Sequence, residues 1–173
     1  LGAIPKTYLP NYREFQEARW FAAARDLKLA HIQIGRFQVP IGHNVLFRSG
    51  KLAIGIEICE DMWTPYTPGT RLALYGAQII FNLSASNELA GKNTYLRSLI
   101  SGLSSQNLCG YVYASAGYGE SSTDTVFTGK GFIAEVGKLL VETPRFTYEE
   151  RLIISDIDVM RIDNDRMTTN SFN

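Results

Sequence analysis

The chain has 173 residues, 45% of them apolar, so it is long enough for one domain with a sizeable core. Its 17 basic and 17 acidic residues give no net charge, which argues against a nucleic-acid partner or an anionic membrane surface. No apolar run approaches the roughly 20 residues that cross a bilayer. Residues 1–6 contain neither an initiator Met nor a secretory signal, so we expect the sequence to begin in mid-domain.

Four strands and one helix are predicted in the first half of the chain. The strands are predicted at residues 31–34, 45–48, 52–59 and 78–84. The helix lies between the strands at 52–59 and 78–84 and is predicted to be capped by Thr70 and to end at Gly76. The strand at 78–84 is almost continuously apolar, which is typical of a strand buried on both faces.

The second half is predicted to contain one amphipathic helix and then a run of strands. Apolar residues at a spacing of 3.6 predict the helix at residues 93–108. This order of elements favours a mixed α/β sheet with helices packed outside it. The strands are predicted at residues 111–115, 126–132, 132–135, 139–142 and 152–159, with a fraying tail or linker after Met160.

Cys59 is the first candidate for chemistry. It ends the strand at residues 52–59, at the strand edge where α/β proteins place their ligands, and the turn after it offers free N–H groups to an oxyanion. The alternative is a buried structural cysteine, but the charged turn of Glu60 and Asp61 argues against a core position. Cys59 and Cys109 lack metal-ligand spacing, and their number alone does not establish a disulfide.

Charged residues near the start of the chain are further candidates. Lys6 lies between two prolines in an apolar context, where its charge could stabilise an oxyanion or a thiolate, although most lysines are solvated surface charges. Glu14 and Glu17 are each a possible general base or an ordinary surface carboxylate, and spacing does not choose between them.

The loop at residues 84–87 combines small hydroxyl side chains with Lys92 beyond it. This combination suits an amino-acid substrate and equally suits a helix cap. His31 and His43 have no Cys or carboxylate at ligand spacing, so no metal site is predicted, while a Cys–His dyad stays open. No phosphate-binding loop is present, so no ATP site is predicted in this chain.

Two longer motifs contain these candidates. The first, Pro-Lys-Thr-Tyr-Leu-Pro-Asn-Tyr-Arg-Glu-Phe, covers residues 5–15, and the second, Glu-Ile-Cys-Glu-Asp-Met-Trp-Thr-Pro, covers residues 57–65. In this order they resemble the nitrilase (carbon–nitrogen hydrolase) superfamily, and more narrowly the glutaminase domains of glutamine-dependent NAD+ synthetases. Residues 82–86 and 126–132 resemble later strands of the same family.

The resemblance implies a partial four-layer αββα sandwich whose N-terminal strands are missing from this chain. It also implies a Glu-Lys-Cys triad that hydrolyses the side-chain amide of glutamine through a cysteine thioester. Cys59 would be the nucleophile, Lys6 the catalytic lysine and the backbone N–H of Glu60 an oxyanion donor. Glu17 matches the family's auxiliary glutamate better than Glu14 does.

The resemblance also assigns a glutamine pocket. Tyr12 and Trp63 would line it, and Ser86 and Lys92 would contact the amino-acid end of the substrate.

Parts of the implied enzyme lie outside the sequence. The general-base glutamate of the family precedes the lysine motif, and an ATP- and Mg-using synthetase domain should follow. We therefore expect residues 1–160 to be the later part of the hydrolase domain, and residues 161–173 to be a tail or linker toward the synthetase domain. No cofactor is expected in this part, and we expect it to be inactive or unstable alone.

Two alternative functions remain open. One is a stand-alone amidase of the same superfamily that acts on another small amide, and the other is a non-catalytic nitrilase-like scaffold. Retention of both Lys6 and Cys59 argues against the scaffold. By resemblance, the protein is expected to be a cytoplasmic homo-oligomer that takes glutamine and works with the synthetase domain of the same polypeptide.

Overall fold

A six-stranded mixed sheet forms the centre of the computed structural model, which describes residues 1–122 and 125–172. Its strands are β3 (Phe47–Ser49), β4 (Leu52–Ile58), β5 (Ile79–Ser84), β6 (Gly110–Ser115), β7 (Gly131–Glu135) and β8 (Lys138–Glu142), in that spatial order. The three central strands β4, β5 and β6 are parallel, and the outer strands pair antiparallel. The earlier strands β1 (His31–Ile34) and β2 (Phe37–Pro40) form a separate hairpin. The predicted mixed α/β class is confirmed.

Helices α1 (Pro68–Leu74) and α2 (Lys92–Gln106) cover one face of the sheet. Helix α3 (Val159–Thr168) contacts the loops before β5 and β6, and 3-10 turns lie at Glu17–Arg19, Ala24–Asp26, Cys59–Trp63 and Tyr118–Glu120. None of the helices in the described ranges is long and apolar enough to cross a membrane.

The core lies between the sheet and these helices. Alternation along β4 directs Ala53, Gly55 and Glu57 toward the helices and leaves the intervening isoleucines half-buried on the other face. A Cβ on Gly55 would lie 2.9 Å from Leu72 Cβ, so the absence of a side chain there lets α1 approach the strand closely. The apolar core comprises Met62, Leu72, Ala77, Ile80, Leu96, Ile100, Leu103, Cys109, Tyr111, Tyr113, Phe132 and Ala134.

The C-terminal segment differs from the prediction. Residues 152–158 lie in no strand, although their exposure alternates. Ile157 lies 2.8 Å from the position of a Cβ built on Gly110, so the alternation reflects packing rather than strand pairing. The expected fraying tail is also wrong at residues 159–168, which form α3.

Helix α3 is anchored by two side chains. Ile162 is fully buried, and Arg166 donates to the carbonyl oxygens of Ala77, Asn107 and Leu108 at 2.8–3.1 Å. The last residue of the expected tail, Asn173, lies outside the described residues. The domain division at residue 160 stays a prediction.

Three further boundaries differ from the predicted ones. Helix α1 begins at Pro68, and its N-cap is Thr67, whose Oγ1 accepts from Thr70 N at 2.9 Å; Thr70 is therefore inside the helix. The strand predicted at residues 126–132 begins only at Gly131, because Gly129 adopts φ +67° and interrupts an extended ladder. Strand β2 was not predicted, and β3 begins two residues later than predicted.

Candidate active site

Cys59 lies at the carboxyl edge of β4, where the strand becomes the 3-10 turn Cys59–Trp63. Its φ of +48° is in the left-handed region, which costs free energy for a residue with a side chain and often marks a functional turn. Cys59 lines two cavities, of about 630 and about 170 Å³. Cys59 is only 9% exposed, and these two cavities are the spaces that it lines.

Asp61 fastens the lysine segment to the cysteine turn. Its carboxylate accepts from Thr7 N at 3.1 Å, from Tyr8 N at 2.8 Å and from Ile58 N at 3.0 Å. The side chain is 1% exposed, and burial raises its pKa despite these three backbone donors. From the sequence, Asp61 is predicted only to belong to a charged turn, and this contact is not predicted. An acidic residue two positions after a strand-end cysteine is the signal that could have indicated it.

Lys6 and Glu17 form an ion pair in the larger cavity. Lys6 Nζ lies 2.7 and 2.6 Å from the two carboxylate oxygens of Glu17, and both side chains are partly buried. Cys59 lines the same cavity. An ammonium group has three N–H donors, so one Lys6 donor remains for a developing oxyanion after Glu17 is bound.

Glu14 and Glu17, between which spacing alone does not choose, have different partners. Glu17 binds Lys6, whereas Glu14 accepts from the side-chain amide of Asn87 at the smaller cavity. The structure therefore places Glu17, and not Glu14, beside the candidate lysine. Its role in catalysis stays a prediction.

The smaller cavity collects the residues predicted to hold the substrate. Tyr12, Trp63, Ser86 and Lys92 all line it together with Cys59 and Glu60. If the strands before Cys59 and before the loop at residues 84–87 are parallel neighbours, the sequence predicts that this loop and the Cys59 turn share one edge of the sheet. The parallel pairing of β4 with β5 confirms it.

Lys92 supplies the positive charge of this cavity. Its Nζ donates to Ser86 Oγ at 2.8 Å, to Asn87 O at 2.8 Å and to Asn87 Oδ1 at 2.9 Å, and lies 5.3 Å from the centre of the Trp63 ring. Burial lowers the pKa of Lys92, while the nearby Cys59 thiol and Glu88 oppose that effect. A partly desolvated cation of this kind binds an anionic group more strongly than a solvated lysine does.

The acidic side of the cavity is formed by Glu60 and Tyr12. The Tyr12 hydroxyl lies 2.9 Å from both carboxylate oxygens of Glu60 and donates to them. Burial and this hydrogen bond raise the pKa of Tyr12 to about 12. The backbone N–H of Glu60 belongs to the first turn of the 3-10 segment, where N–H groups lack partners within the helix.

A buried ion pair supports the loop that carries Ser86. Lys130 Nζ lies 2.6 Å from Glu88 Oε2, with only 4% of the Lys130 side chain exposed. The oxygen of Glu88 that faces away from Lys130 lies 3.9 Å from Arg145. This pair is not predicted from the sequence, because Lys130 lies in the segment 126–132, which is predicted to be an ordinary strand.

The remaining sequence candidates lie elsewhere. Neither His31 nor His43 lines the two cavities that contain Cys59, so the structure does not bring a Cys–His dyad together there. Within residues 1–122 and 125–172, no group of three His, Cys, Asp or Glu side chains is arranged to hold a metal ion. Cys109 is a free, fully buried thiol whose pKa burial raises to about 12.

Comparison with known proteins identifies the family. The family model described as carbon-nitrogen hydrolase matches residues 7–167. A glutamine-dependent NAD(+) synthetase from Mycobacterium leprae is 40% identical over 176 aligned residues, which cover all of this chain and 26% of that protein. The chain therefore spans about a quarter of the length of this curated relative.

Solved structures have the same fold. A glutamine-dependent NAD(+) synthetase from Cytophaga hutchinsonii matches with a TM-score of 0.73 and 29% identity, over 86% of this chain and 24% of that one. A carbon-nitrogen hydrolase from Helicobacter pylori G27 has a TM-score of 0.69 at 19% identity, over 94% of this chain and 54% of that one. These matches confirm the predicted nitrilase-like fold, and the chain belongs to the carbon-nitrogen hydrolase family.

Proposed function

We propose that this chain is part of a glutaminase that uses Cys59 as its nucleophile. The observation that carries the proposal is the position of Cys59, which follows the carboxyl end of β4 with a strained, left-handed backbone. The Lys6–Glu17 pair lies in one adjoining cavity and Lys92 in the other. A reacting amide at Cys59 would therefore have a cation on each side.

The proposed reaction begins when the Cys59 thiolate attacks the side-chain amide carbon of glutamine. The C–S bond forms while the carbonyl electron pair moves to oxygen, where the remaining Lys6 donor and the N–H of Glu60 stabilise the negative charge. Collapse of this intermediate breaks the C–N bond and releases ammonia after protonation of the nitrogen. Water then hydrolyses the thioester to glutamate and restores the thiol. The base that deprotonates Cys59 is expected, by family resemblance, to precede Lys6 in the chain.

The smaller cavity suits the amino-acid end of glutamine. The Ser86 hydroxyl, which accepts from Lys92, would donate to the α-carboxylate, and Lys92, whose three N–H donors are already bound, would attract it by charge. The carboxylate of Glu60, held by Tyr12, lies in the same space to attract the α-ammonium. Opposite charges in one small cavity favour a zwitterion over a simple amide, because each substrate charge is matched after desolvation.

The ammonia would be used by a synthetase domain of the same polypeptide. The Mycobacterium leprae and Cytophaga hutchinsonii relatives are glutamine-dependent NAD(+) synthetases, and each is about four times as long as the aligned part. We propose the ATP-dependent conversion of deamido-NAD to NAD+ as the coupled reaction. ATP and Mg would bind in that domain, and a homo-oligomer stays a prediction.

Glutamate release from glutamine by the full-length protein tests this function. The wild type should release glutamate, and Cys59→Ala should abolish the release while the matched variant Cys109→Ala retains it. Addition of ATP and deamido-NAD should raise the wild-type rate. Release that persists in Cys59→Ala would overturn the nucleophile, and release that ignores both nucleotides would overturn the coupling.

A further inference from the structure

Two buried polar side chains lie directly beneath the cysteine turn. Glu57 on β4 and Asn82 on β5 are partners in the parallel register, and both are 0% exposed. The Glu57 carboxylate accepts from Gly69 N at 2.6 Å and from the Tyr111 hydroxyl. No cation lies within ion-pair distance of this carboxylate in the part of the chain that the structure describes. Burial of polar and charged side chains costs free energy, so we expect this pair to have a specific role.

Asn82 connects the carboxylate to the nucleophile. Its Nδ2 lies 3.4 Å from Glu57 Oε1 and 3.4 Å from the backbone oxygen of Cys59. Its Oδ1 accepts from Ser84 Oγ at 2.7 Å. The amide oxygen of Asn82 accepts from a hydroxyl, and the amide nitrogen faces two acceptors, so both groups fix the orientation of the amide.

The contact with the Cys59 oxygen also determines where a neighbouring N–H points. The carbonyl of Cys59 and the N–H of Glu60 belong to one planar trans peptide, so they point in opposite directions. A hydrogen bond from buried Asn82 to the carbonyl therefore turns the Glu60 N–H away from the core. Cys59 and Glu60 both line the smaller cavity, so that outward side is the reaction side.

We propose that Asn82, held by Glu57 and Ser84, is a positioning residue that aims the Glu60 N–H at the oxyanion formed during acyl transfer to Cys59. This inference rests on the proposed function in that Cys59 must be the acylated nucleophile. The left-handed backbone at Cys59 supports it, because a strained peptide keeps one orientation only where surrounding contacts enforce it.

Two reactions of Cys59 separate positioning from general damage. Acylation by p-nitrophenyl acetate passes through an oxyanion, whereas alkylation by iodoacetamide is a direct displacement at carbon with no oxyanion. We would measure both rates in the full-length protein for wild type and Asn82→Ala, and subtract the rate of Cys59→Ala. The matched control is Asn107→Ala, a buried asparagine whose side-chain nitrogen has no protein partner.

The expected result is a selective loss. Removal of an oxyanion donor costs about 100- to 1,000-fold, so a donor that remains but is misdirected should lower acylation by roughly 10- to 100-fold. Alkylation of Cys59 should stay within about twofold of the wild type, and Asn107→Ala should leave both rates within the same limit. Acylation near the wild-type rate in Asn82→Ala, or a parallel loss of acylation and alkylation, would overturn the proposal.

A milder variant serves if Asn82→Ala does not fold. Ser84→Ala removes only the hydroxyl that holds Asn82 Oδ1, and acylation should fall severalfold with alkylation unchanged. Equal effects on both reactions, or no effect on either, would contradict the positioning role. Glutamate release is recorded in parallel: a wild type that acylates at Cys59 but releases no glutamate would refute glutamine as substrate and leave the positioning result standing.

Discussion

Replacement of Glu57 by Gln should stabilise the protein in a pH-dependent way. Burial raises the pKa of Glu57 from 4.5 to about 7, against the opposing effect of its hydrogen bonds. The folded state therefore holds a proton that the unfolded state releases. The stability that this proton provides is fully present below pH 4.5 and is lost as the pH rises through about 7.

The size of the effect follows from the difference in pKa. One pKa unit corresponds to about 1.36 kcal/mol, so the charged side chain costs about 3 kcal/mol above pH 7. Gln has no charge, so Glu57→Gln avoids this cost. A domain of this size shifts its Tm by about 2–4 °C per kcal/mol. The Tm of the variant minus that of the wild type should thus rise by roughly 6–12 °C between pH 4.5 and pH 8.

Thermal unfolding of the full-length protein across this pH range provides the measurement. Any fixed difference in hydrogen bonding between Glu and Gln shifts every point equally and leaves the slope unchanged. Glu150→Gln, at an exposed position, is the matched control and should give a flat difference. A flat difference for Glu57→Gln as well would refute the assignment of a neutralised, buried carboxyl beneath the cysteine turn.

Three further predictions concern the site. Lys92→Met should raise KM for glutamine by about 10- to 100-fold with a smaller change in kcat, because the substrate carboxylate loses the cation that matches its charge, and polar contacts to charged groups contribute about 1.5–3 kcal/mol. An unchanged KM in steady-state assays would contradict the assignment of Lys92 to the carboxylate site. Asp61→Ala leaves three backbone N–H groups without their acceptor, so the unfolding free energy should fall by about 2–4 kcal/mol, measured as a lower Tm, and kcat should fall as well. A wild-type Tm would refute the proposed role of Asp61 in holding the lysine segment to the cysteine turn. Peptide mass spectrometry after brief iodoacetamide treatment should find Cys59 alkylated and fully buried Cys109 unmodified; equal labelling would argue against a reactive Cys59.

The sequence predicted best those features that depend on a single strand and on the residues directly after it. The apolar alternation of β4 and the charged turn after it predicted both the strand and the position of Cys59 at its carboxyl end, where the cysteine is 9% exposed. The two cavities confirm that edge position, whereas the catalytic roles assigned by resemblance stay predictions.

Contacts that depend on strand register were not predictable. Glu57 and Asn82 are 25 residues apart, and only the parallel pairing of β4 with β5 brings them together. The C-terminal helix was missed for a related reason. Its buried contacts are tertiary: Ile162 lies in the core, and Arg166 donates to carbonyls of two distant loops. The short polar segment has no strong helical pattern of its own.

The central claim is that Cys59 forms a thioester with the side chain of glutamine. The most direct test is acid quenching of the full-length protein during turnover of glutamine, followed by peptide mass spectrometry. The account predicts a γ-glutamyl group on the Cys59 peptide, lost on treatment with hydroxylamine and absent from the Cys109 peptide. Turnover of glutamine with no adduct on Cys59, or an adduct on another residue, would contradict it.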